Sequence, residues 1–266
     1  IPGAILLLLT NGLFIYAIDL LPRLGWRHPT FVVTLLLSLV AMAFLLFAET
    51  KARTPILILS MFRSRLFSAG ILSLFLITLS LSAINFLLPF YLQNLLGYSA
   101  SQVGWIIIAD SLIIMFMAPI AGTWSDRLGS RLLCTIGCVV IVIAQFFVGS
   151  LGLESSLPRI MLPLALWGVG WALFNAPNQS ATFGAVSHDK LGAAAGMIAT
   201  TARTGSAIGV AMAGTIFSSL LTAAGLSPEQ TQSPQSWSTM PESVIGPFNY
   251  TIHFINGLTL LAVFFS

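Results

Sequence analysis

Long apolar runs cut by short polar intervals set the rhythm of this chain. Eight runs stand out, at 3–21, 30–48, 68–92, 103–122, 132–152, 159–178, 195–222 and 248–266. Most approach the roughly 20 residues that a helix needs to cross a hydrocarbon core about 30 Å thick. They lack the strict alternation over about ten residues that marks a membrane β-strand. Lipid offers no partner to loose backbone groups, so the pattern predicts an all-α membrane protein with eight transmembrane helices.

Composition reinforces the pattern. Apolar residues make up 57% of the 266 positions and charged residues 7%. Soluble domains carry about 25% charged residues, and a soluble globule must clothe its exterior in polar groups. The lipid bilayer is therefore the first partner. A net charge of +3 gives no case for nucleic acid. The first residue is Ile1 and the last run reaches Ser266. No basic segment precedes the first run as in a signal peptide. The chain reads as a piece of a longer protein, with its last helix cut short.

The placement of positive charge orients the runs. One set of connections holds Lys51, Arg53, Arg63, Arg65, Arg127, Arg131 and Lys190, and the other only Arg23, Arg27 and Arg159. The richer set belongs in the cytoplasm. The longest connection, 223–247, then lies outside; its Pro228, Pro234 and Pro241 suit an irregular segment. Residues 54–67 are too short to span. They read as an interfacial helix with Arg63 and Arg65 near lipid phosphates, or as a cytoplasmic extension of the next span.

The densest charge sits in "GTWSDRLGSRLL", residues 122–133, between the fourth and fifth runs. Gly122, Asp126, Arg127, Gly129 and Arg131 fall in the register of the cytoplasmic loop G-x-L-a-D-R-x-G-R-[RK]-x-x-L of the major facilitator superfamily, which the stretch resembles. Trp124 stands at the usual Leu position and Ser130 at the usual first basic position. "ETKARTPILILSMFRSRLF" (49–67), "LPFYLQNLLGYSASQVGW" (88–105) and "LGAAAGMIATTARTGSAIGVAMAG" (191–214) resemble the 14-helix drug:proton antiporter branch. The resemblance implies two linker helices over 1–53, an interfacial cytoplasmic segment over 54–67, and the six-helix C-terminal transporter domain over 68–266. It also implies an N-terminal six-helix domain of the same protein as a partner. In such transporters the 122–131 loop is a conformational latch. At the start of the fifth span, Asp126 is placed to accept helix N–H bonds. A plain tight turn with positive-inside arginines is the other reading.

Polar side chains at membrane depth are costly and often functional. Asp110, in "WIIIADSLIIMF", is a candidate proton carrier, or a carboxylate hydrated near the outer end. Arg203 lies within the seventh run and needs a partner or a watery cavity; Asp110 is one candidate partner. Of the amides Asn85, Gln93, Gln145, Asn175, Asn178 and Gln179, most read as helix–helix glue. Asn85 and Gln145 lie well within spans and are the better cavity candidates. Phe86, Phe90, Met115, Phe116 and Trp171 read as packing or as walls of an apolar pocket. Gly192, Gly196, Gly205, Gly209 and Gly214 form small faces that admit close helix packing.

No enzyme is expected. His28, His188 and His253 are scattered, Cys134 and Cys138 lack companion ligands, and no Gly-rich Lys-type nucleotide loop occurs. The resemblance implies a secondary transporter that exports hydrophobic or cationic drugs, with the proton gradient as energy source and no cofactor. The same resemblance implies a multi-pass protein of a bacterial plasma (inner) membrane. A siderophore, amino acid or sugar transporter of the same fold is the nearest alternative; a membrane-embedded enzyme or scaffold is more distant.

Overall fold

The computed structural model describes residues 6, 9–17, 20, 28–51, 59–227, 230–231 and 234–266, and within these only the backbone of 45–46, 48–51, 59 and 234–236. Arg23, Arg27 and Arg53 lie outside the described residues. Among those described, helices dominate and no strand occurs. We number the long helices α1 (Pro29–Lys51), α2 (Arg65–Phe90), α3 (Ala100–Leu128), α4 (Ser130–Val148), α5 (Leu157–Gly184), α6 (Leu191–Ala223) and α7 (Pro241–Phe265). Six of these, α2 to α7, are long and apolar enough to cross a membrane. The first apolar run is helical over 9–17. It touches α1 through the Ser38 hydroxyl, which donates to the Thr10 carbonyl at 3.3 Å.

Local chemistry extends the helices beyond the apolar runs. Ser99 accepts from the Gln102 N–H, while the Gln102 side chain accepts from the Ser99 N–H at 2.9 Å. This reciprocal cap starts α3 at Ala100. With 29 residues, α3 is about 43 Å long, so its ends pass the hydrocarbon core. Leu59–Arg63 forms a single 3-10 helix, and α2 begins at Arg65 beneath the Ser64 cap. The structure thus divides the described part of 54–67 between a short turn and the first residues of the span.

Helix α2 is the hub. It packs against α6, α7 and α5, while α4 packs against α5 and α7, and α3 lies outside on α5. Glycine sets these distances. A Cβ on Gly137 of α4 would lie 2.7 Å from the Phe174 nitrogen and 2.8 Å from the Gly170 carbonyl of α5. On α6, a Cβ on Gly205 would meet Thr78 Oγ1 at 2.5 Å and the Phe75 carbonyl at 2.9 Å, and one on Gly209 would strike the Leu79 carbonyl. Of the small residues read from the sequence, Gly205 and Gly209 carry the α2–α6 contact. A Cβ on Gly192 or Gly196 would meet nothing within 4 Å.

The two ends of the bundle differ. At one, the Tyr91 ring stacks on Phe248 at 4.7 Å and its hydroxyl donates to the Gly152 carbonyl at 2.7 Å. Trp237, from the long connection, wedges between Phe90 and Phe217 at 5.8 and 5.2 Å and donates to the Gln230 carbonyl. The opposite end gathers Arg65, Arg131, Ala181 and Ser266 around a cavity, and is called here the basic end.

Replacing Gly137 with Ala is expected to destabilise the bundle by about 1–3 kcal/mol, because the opposing atoms are backbone and cannot yield. Gly196→Ala, in open space, is expected to leave stability unchanged. Thermal unfolding of the two variants in one detergent checks the difference.

Candidate functional site

The charged stretch at 122–133 is mostly helix. Helix α3 runs through Asp126 and Arg127 to Leu128, and α4 starts at Ser130. The whole turn is Gly129, at φ 87° and ψ 142°. A φ in that range is strained for any residue with a Cβ, which accounts for glycine there. Ser125 and Ser130 hydroxyls face each other at 3.1 Å and brace the turn. This corrects the expected role of Asp126 as a cap of the following helix. Asp126 belongs to the last turn of α3, and α4 has no side-chain cap. Asp126, Arg127 and Arg131 are all exposed, and Gly122 has open space around it. The carboxylate is therefore not spent on the start of α4 and is free to meet a facing surface.

The polar candidates within the spans go to different places. Gln145 is 0% exposed. Its Nε2 donates to Ser80 Oγ of α2 at 2.8 Å, and its Oε1 accepts from Thr259 Oγ1 of α7 at 2.8 Å. Ser80 in turn donates to the Ile77 carbonyl at 3.0 Å. One amide thus ties three helices together. Asn178 of α5 makes a similar tie, donating to the Gly70 carbonyl of α2 at 3.2 Å. Ser82 and Ser206 join α2 to α6 at 2.6 Å. Asn85 is exposed on α2.

Asp110 is the eleventh residue of α3, about 15 Å along the helix from Ala100. It is half-buried and accepts from the Ser111 hydroxyl at 3.1 Å. Its backbone carbonyl would lie 2.8 Å from a Cβ on Gly168 of α5. Arg203 is exposed on α6. The next residue, Thr204, donates to Asn11 Oδ1 at 3.3 Å. Asp110 and Arg203 form no ion pair; α3 rests on α5, and α6 rests on α2.

The aromatic candidates also separate. Phe86 and Phe90 join the cluster around Trp237. Trp171 stacks on Trp167 at 5.8 Å. Met115 and Phe116 lie on the outer face of α3, Phe116 at 67% exposed. Cys134 and Cys138 are buried thiols without a disulfide. Among the described residues no group of His, Cys, Asp and Glu is placed to hold a metal. The sequence reading missed Ser80 and Thr259, the partners of Gln145. They lie 65 and 114 residues from it in the chain, and no local pattern links them.

Cavities among the described residues include two that are lined by the spans. One of about 500 Å³ opens at the basic end between α2, α4, α5 and the end of α7. The other, about 460 Å³, lies between α2 and α6, lined by Phe62, Ile71, Phe75, Thr200 and Thr204 among others.

Six long apolar helices, locked by internal polar ties, define a multi-pass integral membrane protein. The sequence profile of the Major Facilitator Superfamily matches residues 3–210. The chain belongs to that family of transporters. It is 28% identical over 179 residues to the uncharacterized MFS-type transporter YhcA of Bacillus subtilis, covering 67% of this chain and 34% of that protein. It is 26% identical over 222 residues to the multidrug resistance protein Stp of Mycobacterium tuberculosis, covering 83% and 41%. It is 29% identical over 185 residues to the riboflavin transporter RibZ of Clostridioides difficile, covering 70% and 41%. The chain spans about a third to two fifths of the length of these relatives.

Gln145→Leu is expected to lower stability by about 1 kcal/mol, within the range of interhelical hydrogen bonds in membranes. It leaves the Ser80 and Thr259 hydroxyls to bond their own helices. Unfolding in denaturant, compared with the Ser80→Ala variant, checks the size.

Proposed function

We propose that this chain is part of a secondary active transporter that exports hydrophobic or cationic small molecules in exchange for protons. The supporting observation is the likeness to the multidrug resistance protein Stp over 83% of this chain. In this reading α2–α7 form the six-helix C-terminal domain of a 14-helix protein, and the runs before them are linker helices. A second six-helix domain of the same protein faces it, and the two rock about a site near the midplane. The energy source is the proton gradient, with no cofactor. The setting is a bacterial plasma membrane.

The geometry fits such a role at the Gly129 turn. Asp126, Arg127 and Arg131 stand exposed at the basic end, where a facing domain would meet them. Carboxylate–guanidinium pairs there would hold one conformation and release the other. Asp110 remains the one carboxylate part-way along a described span, and in this reading it is a candidate proton carrier. Coupling by a carboxylate of the facing domain is equally compatible with the helices described. The likeness to the riboflavin transporter RibZ favours a second reading, in which the cargo is a metabolite.

Expression of the complete protein in a drug-sensitive bacterial host is expected to raise the tolerated concentration of lipophilic cationic drugs. Growth with unchanged drug tolerance, alongside improved uptake of riboflavin, would instead support the metabolite reading. Asp126→Asn is expected to cut drug efflux about tenfold or more at normal membrane levels, the cost of about 1.4 kcal/mol or more in one conformation. Normal efflux by a well-inserted variant removes the latch. Asp110→Asn is expected to flatten the pH dependence of efflux; an unchanged profile removes Asp110 as the carrier.

A further inference from the structure

We propose that the cavity at the basic end binds the headgroup phosphate of an anionic phospholipid, from the leaflet facing that end. This inference does not depend on what the protein transports. The cavity, about 500 Å³, is lined by Arg65 and Arg131 and contains no Asp or Glu among its lining residues. Both guanidinium groups belong to exposed residues, and neither has a carboxylate partner among the described residues. The polar wall residues are already engaged. Asn178 donates to the Gly70 carbonyl at 3.2 Å, and the Cys134 thiol donates to the Phe174 carbonyl at 3.8 Å. Two fixed positive charges therefore face a space that no described side chain of the bundle neutralises.

Phosphate suits that space. Guanidinium groups bind phosphate oxygens through charge-assisted, often bidentate hydrogen bonds. Arg65 and Arg131 stand in the first turns of α2 and α4, so the local potential adds to their charge. The rim decides between a lipid and a soluble anion. Leu66, on the cavity wall, is 51% exposed. Acyl chains would cover that side chain; a free phosphate ion would leave it bare. The connections at this end carry the excess of positive charge, which places it at the cytoplasmic leaflet, where anionic lipids concentrate.

The test uses the complete protein in detergent and native mass spectrometry with phosphatidylglycerol and phosphatidylcholine of identical acyl chains. Phosphatidylglycerol is expected to be retained in preference. Its affinity is expected to fall about fivefold for each of Arg65→Gln and Arg131→Gln, the effect of about one headgroup-level charge. Arg159→Gln removes the same charge at the opposite end and is expected to change nothing. Equal retention of the two lipids by the unaltered protein overturns the proposal without reliance on any variant. Undiminished affinity in folded Arg65→Gln and Arg131→Gln proteins overturns it as well. Displacement of phosphatidylglycerol by millimolar inorganic phosphate would assign the cavity to a soluble anion instead of a lipid.

Discussion

Backbone-to-backbone contact at glycine is the constraint on which the rest of this bundle depends. Inside a membrane, apolar side chains gain little by leaving lipid for protein, so helices associate through close packing and hydrogen bonds. Gly137 and Gly170 bring α4 against α5, and Gly205 and Gly209 bring α6 against α2. Gln145 adds ties from α4 to Ser80 and Thr259 on two other helices. The close α2–α6 approach lets Ser82 meet Ser206, and Gly70 leaves room for Asn178 to meet its carbonyl. Small residues set the spacing, and the polar ties then fix which helix faces which.

That arrangement leaves the two ends with different characters. Rings from α2, α6, α7 and the long connection fill one end, where Trp237 closes the packing between Phe90 and Phe217. The other end is open around two arginines. Helix α3 stands apart on the outside of α5, with Trp105 and Phe116 at 72% and 67% exposed. Its exposed stripe and the turn at Gly129 belong to the same helix. A surface that met α3 would therefore meet Asp126 and Arg127 at the same time, which ties the latch reading to a definite face of the bundle.

Much of the fold was legible in the sequence because the solvent is so restrictive. Length and apolarity alone placed α2 to α7, since a helix is the simplest structure that satisfies its own backbone in lipid. Boundaries were less legible. The Ser99–Gln102 cap extends α3 at its start, and the helix tolerates Ser125, Asp126 and Arg127 once it leaves the hydrocarbon. Charge was read as loop there, yet one glycine makes the whole turn. The polar residues were easy to find and hard to assign. Gln145 stood out as an amide in an apolar run, but its partners are residues 80 and 259. Arg65 read as a positive-inside charge near lipid phosphates, but only the fold puts it on the wall of one cavity with Arg131.

The most direct test of the account is solute flux through the complete, purified protein in proteoliposomes under an imposed pH gradient. The account predicts movement of a lipophilic cation against its own gradient, abolished when a protonophore collapses the pH difference. Folded protein that moves no such solute, or moves it equally well without the pH gradient, would contradict it.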